Sequence, residues 1–522
     1  MQEIAKNNKR VAKNTIVLYV RMIFLMLINL YTSRVVLDSL GVQDYGIYNV
    51  VAGFIAMFQT MSIALVNANS RFINYEMGRG DKKCLQETFS TSLNVNLGIS
   101  IVFILIAETI GLWYINTQMV IPVDRLDAAN LCYQLSIFNF CLILVNIPYR
   151  ACIIAHEKMK TFAYVSLIEG LGQLIISYLI LWNPFDRLIY YAILLFILQN
   201  IIRYLYQLYC RKNFDECHYV MVFNVKIMKD ILAFSSWNMY GNGASVIKNH
   251  GGNLILNLFF GPSINAARGL SNHVQNAVSG LATNFLMALT PQITQSYAKK
   301  DYCYMHKLMN SGSRFSYYLL LAICLPLIIN ADFILHVWLK DVPDYTTPFV
   351  QLSLVACMLY GITRPLVTGQ NATGNVRGFQ LTIGTIELLN IPISYIALYS
   401  GCSPQTVLIV AVILEAISVM VRICILPKTI YSFSPKIFTR EVLFNCFLVT
   451  VLSSIIPCVL VMLYDSNFIS FILNFVVCLI MTITSVYFVG LQKNEKHWVK
   501  MRMCQLYNKR VGCKTNVLSK ND

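Results

Sequence analysis

One lysine lies in the middle of an otherwise apolar segment of this chain. Lys248 shares its helical face with small and polar residues, which are Asn238, Asn242, Ser245, Asn249, Gly252 and Asn253. If the segment crosses a membrane, a charge at its centre costs roughly 2.5–3.5 kcal/mol. An ammonium without a partner would be unfavourable there, so the pattern predicts a polar cavity around Lys248. A structural ion pair, or snorkelling to the membrane interface, is the alternative interpretation.

Three guanidinium groups and an imidazole extend this set. The candidate cavity residues are Arg21, Lys248, Asn249, Arg268, His273 and Arg364. Guanidinium and ammonium groups in a low-dielectric cavity bind phosphate groups strongly, so the set predicts a site for a diphosphate. The alternatives are packing at a proline kink for Arg364 and an interfacial position for Arg21 and Arg268.

Two carboxylates in apolar segments, Glu169 and Glu387, allow a different chemistry. A carboxylate inside a transporter can hold a proton or a coupling cation. The competing interpretation is that each carboxylate pairs or hydrogen-bonds between helices. We therefore treat both as candidate coupling or pairing groups.

The composition identifies the class of protein that must position these residues. Of 522 residues, 57% are hydrophobic and 13% are charged, and the mean hydropathy is +0.58. Soluble domains carry about twice that share of charge. Each apolar segment reaches the ~20 residues that are needed to cross the hydrocarbon core. The sequence predicts an all-α polytopic membrane protein with about fourteen transmembrane helices.

The second half of the chain repeats the first. Offsets of 220 and then 217 residues align segment boundaries and basic loops. The aligned pairs include Asn29 with Asn249, Gly41 with Gly261, Arg79 with Lys299, Asp81 with Asp301, Pro148 with Pro365, Ala155 with Ala372, Lys160 with Arg377 and Phe162 with Phe379. Transporters often consist of such repeats, with the site at their interface. Both copies begin in the same orientation, which predicts two pseudo-symmetric six-helix lobes related by an axis along the membrane normal.

Five units follow from this repeat. We expect an N-lobe of spans 1–6 at 1–210, a cytoplasmic linker at 211–230, a C-lobe of spans 7–12 at 231–427, spans 13 and 14 at 428–490, and a basic cytoplasmic tail at 491–522. Spans 1 and 7 are expected to face each other across the lobe interface.

The net charge of +16 is distributed unevenly. Most Lys and Arg residues fall in alternate loops and in the two tails, which is the pattern of the positive-inside rule. The exceptions on the opposite side are Arg34, Arg125, Arg187, Arg268 and Lys340. This asymmetry predicts that both termini are cytoplasmic, and it explains the charge without nucleic acid as a partner.

The sequence carries no signature of catalysis or of a metal centre. It lacks a phosphate-binding GxxxxGK[ST] loop, HExxH and GxSxG, and its sixteen cysteines have no ligand spacing. The predicted outer loops are too short for a catalytic domain. We expect no enzymatic activity, no cofactor, no metal site and a reduced chain.

Several stretches resemble a known family. They are Ser33-Arg34-Val35-Val36-Leu37, Leu40-Gly41-Val42-Gln43-Asp44-Tyr45-Gly46-Ile47-Tyr48, Ser70-Arg71-Phe72, and Pro148-Tyr149-Arg150-Ala151-Cys152-Ile153-Ile154-Ala155-His156-Glu157-Lys158-Met159. Over about residues 10–490 the chain resembles the multidrug/oligosaccharidyl-lipid/polysaccharide exporter superfamily. Within it the chain is similar to the polysaccharide flippases of the Wzx type.

The resemblance implies a V-shaped pair of lobes around a central cavity. It implies an undecaprenyl-diphosphate-linked oligosaccharide as substrate, flipped across the bacterial inner membrane for surface polysaccharide synthesis. Membrane lipids and a glycan polymerase complex are the further expected partners. A cation-coupled multidrug antiporter of the same superfamily is the alternative function, and a scaffold for glycan assembly is a third.

Overall fold

The structure is a computed structural model of the chain. It describes residues 10, 14–29, 31–32, 35–36, 38–40, 44, 47–48, 58–117, 122–180, 186–222, 224–260, 262–338, 342–463, 468–493, 495–497 and 500. Predicted span 2 lies partly, and the basic tail mostly, outside these residues. The described residues form helices and no strand.

The helices of the first half are α1 (Asn14–Asn29), α2 (Gln59–Arg79), α3 (Lys82–Ile106), α4 (Leu112–Thr117), α5 (Leu126–Ala155), α6 (Met159–Leu179) and α7 (Arg187–Asn213). Those of the second half are α8 (Val225–Phe260), α9 (Pro262–Ala298), α10 (Tyr302–Ile329), α11 (Ala331–Trp338), α12 (Thr346–Thr373), α13 (Arg377–Leu388), α14 (Asn390–Tyr399) and α15 (Thr406–Ile425). The chain continues through α16 (Pro435–Phe438), α17 (Asn445–Leu463) and α18 (Phe468–Ser485).

Ten helical stretches of the described residues are long and apolar enough to cross a membrane. The chain is therefore an all-α polytopic membrane protein, as predicted. The remaining four predicted spans correspond to α1, which is a shorter apolar helix, and to α2, α8 and α9. Of these, α2, α8 and α9 carry more polar residues and contact one another between the two halves.

Equivalent positions of the two halves share unusual backbone geometry. Gly80 has φ 77° and Lys300, 220 residues later, has φ 60°. The next residue in each copy caps a helix: the side chain of Asp81 accepts hydrogen bonds from the backbone of α3, and that of Asp301 does so from α10. The aligned residues thus adopt the same helix–turn–helix connection.

A second matched turn follows α5 and α12. Each of these helices continues through its proline, Pro148 or Pro365, without ending there. Glu157, just after α5, has φ 54°, and Gly374, just after α12, has φ 79°. Glycine adopts this conformation without strain, whereas glutamate does not. The strained residue in the first copy therefore requires a stabilising environment.

That environment lies between the two halves. Glu157 is buried; its carboxylate contacts the Arg10 guanidinium at 2.5 Å and accepts a 3.5 Å hydrogen bond from Gln292 of α9. Gln295, one turn further along α9, donates to the Ala155 carbonyl at 3.0 Å. The end of α5 is thus tied to the opposite half.

The equivalent turn of the second half, at Gly374, contacts an arginine of the first half. Arg71 of α2 lies over the rings of Phe72 and, in α8, Phe234. Its guanidinium packs so closely on Gly374 that an added Cβ would lie 2.5 Å from Nη2. A cation at the C-terminal end of α12 is favoured by the helix dipole. Only glycine fits here, in backbone conformation and in space.

The two halves meet most closely where α2 and α9 end. A Cβ added to Gly78 would lie 2.6 Å from the Cβ of Ala298, which is its equivalent under the offset of 220. Two equivalent residues can touch only near the axis that relates the copies. The structure is therefore closed at this end of the bundle, which we call the basic end because Arg79, Lys82, Lys83, Lys299 and Lys300 flank it.

We expect Gly78→Leu to force α2 and α9 apart. Overpacking of a close contact costs roughly 1–3 kcal/mol, so the variant should unfold at a lower temperature in detergent. Gly98→Leu is the matched control, because no atom lies within 4 Å of a Cβ at Gly98. Equal melting temperatures of the two variants would contradict the close approach.

Candidate functional site

Lys248 lies in an ion-pair network inside the second half. Its Nζ is 3.7 Å from Glu387 of α13 and 3.9 Å from Glu415 of α15. Arg422 of α15 lies 3.7 Å from Glu387 and donates a 3.0 Å hydrogen bond to Glu415. The hydroxyl of Ser245, one turn before Lys248, also donates to Glu387. Two cations and two carboxylates thus balance one another.

The network explains the polar stripe of α8. Side chains three residues apart lie on the same helix face, so Ser245 and Lys248 reach α13 together. Further along the stripe, the Asn238 side chain accepts a 3.0 Å hydrogen bond from Gln380 of α13. The stripe is therefore used for helix packing, and the ion pair that we weighed as the alternative for Lys248 is what the structure contains.

Burial makes this arrangement energetically demanding. The side chains of Glu415 and Arg422 are each 6% exposed, and that of Lys248 is 19% exposed. Buried charges lose hydration, and removing one partner of a buried pair costs about 3–5 kcal/mol because the other charge remains uncompensated. We therefore expect that removing any one of the four charged side chains lowers the stability of the folded protein.

Arg364 and Arg268 lack a carboxylate within 4 Å among the described residues. The Arg364 guanidinium lies over the Tyr360 ring, 4.1 Å from its centroid, on the same face of α12. Arg268 is 7% exposed and donates to the hydroxyls of Ser271 and Ser353 at 3.2 and 3.0 Å. Hydroxyls satisfy the donors of Arg268 but do not neutralise its charge.

The remaining predicted residues divide between surface and interior. Asn249 and His273 are exposed. Arg21 lies over the ring of Phe162, 4.7 Å from its centroid. Glu169 of α6 accepts a 3.1 Å hydrogen bond from Gln199 of α7. The predicted residues thus form separate groups in the two halves, and of the six cavity candidates only Lys248 belongs to the ion-pair network.

Two members of the network were missing from the predicted set. Glu415 and Arg422 are seven residues apart, which is two helical turns, so they share a face of α15. That spacing was the available signal in the sequence. It predicts a pair on one helix, but it does not show that α13 and α8 contribute the other two charges.

The motif that includes Asp44 has a structural role. Arg125 donates to both carboxylate oxygens of Asp44 and pairs with Asp186 as well. Arg187 beside it donates to the Ser39 carbonyl at 2.9 Å. Arg125, which lies just before α5, therefore links Asp44 to Asp186, which lies just before α7. Both arginines are among the cations that the charge pattern placed on the outer side.

A second polar contact lies beyond α7. His156 hydrogen-bonds to Glu216, and its ring stacks on Phe214 at a centroid distance of 4.0 Å. Burial alone would raise the pKa of Glu216, but the hydrogen bond from His156 lowers that pKa below its usual value. This contact fixes the chain as it leaves the first half.

No group of three or more His, Cys, Asp or Glu side chains suited to a metal ion occurs in the described part of the chain. The interior of this part contains buried cations, some with and some without a carboxylate within 4 Å. Ionisable residues at membrane depth are candidates for a functional site.

Comparison with known proteins identifies the family. The sequence profile of a family described as polysaccharide biosynthesis protein matches residues 11–297, more than half of the chain. The chain belongs to this family. A search of curated proteins finds no significant match.

Solved structures show which fold this family member has. A mutant of the MATE transporter VcmN from Vibrio cholerae has a TM-score of 0.72 at 14% identity, covering 83% of this chain and 99% of the other. Another mutant MATE protein reaches 0.71 at 13% identity, with 80% and 94% covered. A transporter of the MOP superfamily from Pyrococcus furiosus reaches 0.68 at 13% identity, with the same coverage, and its binding pocket is described as having reversed polarity. This member of the polysaccharide biosynthesis protein family thus has a MATE-like fold.

We expect strong coupling between Lys248 and Glu387. Each single variant, Lys248→Gln or Glu387→Gln, should destabilise the protein by about 3–5 kcal/mol, because a buried charge loses its partner. The double variant should lose less than the sum of the two. Thermal unfolding in detergent measures all three. Additive losses would show that the two side chains do not depend on each other.

Proposed function

We propose that this protein flips an undecaprenyl-diphosphate-linked oligosaccharide across the bacterial inner membrane for the synthesis of O-antigen, capsule or exopolysaccharide. The observation that carries the proposal is the presence of buried or half-buried guanidinium groups without a carboxylate within 4 Å among the described residues: Arg21, Arg268 and Arg364. Membership of the polysaccharide biosynthesis family supports it.

A diphosphate suits these cations for a physical reason. Unpaired guanidinium groups in a low-dielectric interior are costly, and an anionic ligand would offset that cost. Guanidinium binds phosphate oxygens in a bidentate manner. A cationic drug would instead be repelled, so the uncompensated charges favour an anionic substrate.

Lys248 requires a revised role in this proposal. Its ammonium lies between Glu387 and Glu415, so it is not free to bind a diphosphate. Protonation of Glu387, or a cation bound to it, would weaken the pair and release Lys248 toward a substrate. Ion coupling of this kind joins the two roles that the sequence predicted for Lys248 and Glu387.

The alternative function is cation-coupled multidrug antiport. Two observations favour it: the carboxylates Glu387 and Glu415 are buried in the second half, and several similar structures are MATE transporters. The balanced charge of their network argues against it, because both carboxylates already have cationic partners. Membrane lipids and a glycan polymerase complex are the further partners we propose.

We also propose that both termini lie in the cytoplasm, which makes the basic end the cytoplasmic end. Cys402 and Cys303 are both exposed and lie on opposite predicted sides. In intact spheroplasts an impermeant maleimide should label Cys402, and Cys303 only after permeabilisation. Cys217 would be uninformative because it is buried. Labelling of Cys303 alone would reverse the orientation.

The function itself is tested by complementation. In a strain that lacks this gene, the unaltered protein should restore surface polysaccharide, whereas Arg364→Gln should restore little at equal protein level, because a diphosphate loses one cation. Arg377→Gln is the control, since Arg377 is exposed and lies over Trp237. Immunoblots measure polysaccharide and protein. Normal polysaccharide in the strain without the gene would contradict the proposal, and efflux of ethidium dependent on Glu387 would favour the antiporter.

A further inference from the structure

Two guanidinium groups lie over one aromatic ring in the first half of the transporter. The guanidinium carbon of Arg21, in α1, is 4.7 Å from the centroid of the Phe162 ring. That of Arg150, in α5, is 5.6 Å from the same centroid and 5.9 Å from that of Tyr206. Both guanidinium carbons therefore lie within 6 Å of the centroid of the same ring. The side chains that meet here come from four helices, α1, α5, α6 and α7.

Arg150 reaches this position because α5 does not end at Pro148. The helix contains Pro148 and continues to Ala155. Arg150 thus lies on the helix, half-buried, with its side chain over Phe162 and Tyr206. It is part of the motif that begins at Pro148.

No described carboxylate lies within 4 Å of either arginine. Glu169 is near enough to act on Arg21 electrostatically, but its side chain accepts a hydrogen bond from Gln199. Contacts with aromatic faces stabilise a cation, by about 0.5–1 kcal/mol at exposed sites and more when it is desolvated. They do not neutralise it. The pair therefore keeps an excess of positive charge, unlike the balanced network around Lys248.

Buried polar atoms around the pair also lack partners. They are Nε of Arg21 and the hydroxyl of Tyr206, and Tyr206 is 1% exposed. Leaving a buried donor without an acceptor is unfavourable. Two such donors beside two cations without a carboxylate partner fit a ligand that supplies several anionic acceptor oxygens.

We propose that Arg21 and Arg150 form a subsite for a diphosphate group, with the Tyr206 hydroxyl as a further donor. Each guanidinium offers a planar pair of donors to the oxygens of one phosphate. Phe162 sets the position of both guanidinium groups. The subsite deepens the proposed function and rests on it, because it assigns the charged part of a lipid-linked substrate to the first half of the transporter.

Binding of inorganic pyrophosphate to the purified full chain in detergent tests the subsite. The unaltered protein should bind it, as measured by calorimetry, and Arg150→Gln should weaken the apparent affinity at least tenfold. Arg150→Lys, which keeps the charge, should retain part of the affinity if the protein remains folded. Arg377→Gln, an arginine over Trp237 outside the subsite, should bind as the unaltered protein does. Equal affinity in all variants would overturn the proposal, as would failure of the unaltered protein to bind.

A competition experiment tests whether the bound diphosphate belongs to a lipid or to a soluble nucleotide. Farnesyl diphosphate should displace pyrophosphate more effectively than uridine diphosphate, since a lipid-linked substrate presents an isoprenoid chain. The opposite order would overturn assignment to a lipid-linked ligand. Surface polysaccharide separates the subsite from the function: if the unaltered protein binds pyrophosphate but does not restore surface polysaccharide in the strain that lacks the gene, the subsite stands and the flippase proposal fails.

Discussion

The cost of placing charge in a low-dielectric interior constrains this molecule more than any other factor. A helix can carry an arginine or lysine at membrane depth only where the charge is compensated or solvated. The second half of the chain compensates Lys248 and Arg422 with Glu387 and Glu415. The first half brings Arg21 and Arg150 together without such a partner. These two clusters therefore differ in electrostatics: the one around Lys248 is balanced, and the one around Arg21 keeps an excess of positive charge.

Architecture itself is largely shared. Helix caps at Asp81 and Asp301 and positive φ angles at Gly80 and Lys300 recur at the same offset. These features are local, because a cap or turn depends on a few neighbouring residues. That is why they recur where the sequence repeat aligns similar residues. What the repeat did not predict is the asymmetric use of matched turns: Gly374 makes room for a cation from α2, while Glu157 in the same position binds Arg10 and Gln292.

The sequence predicted the class of the fold and singled out Lys248, but it did not predict which side chains Lys248 contacts. Periodicity shows which residues share a face of one helix, so the polar stripe of Lys248 was visible. It does not show which helix packs against that face, and so the contacts with Glu387 and Glu415 were not predicted. Arg150 was not among the predicted site residues, although it follows Pro148 within α5. In a membrane helix a proline is tolerated when neighbouring helices satisfy the freed backbone groups, so the helix continues.

The polar residues of α2, α8 and α9 follow from what these helices contact. The ten apolar stretches suit the hydrocarbon core by length and composition, whereas α2, α8 and α9 contact one another and bury asparagine, glutamine and serine side chains at those contacts. Those three helices contain the contacts that close the basic end, from Arg71 to Gln295. Hydrogen bonds from glutamine and a cation over aromatic rings are specific but individually weak. The basic end is therefore held by several small contributions rather than by a continuous apolar seam.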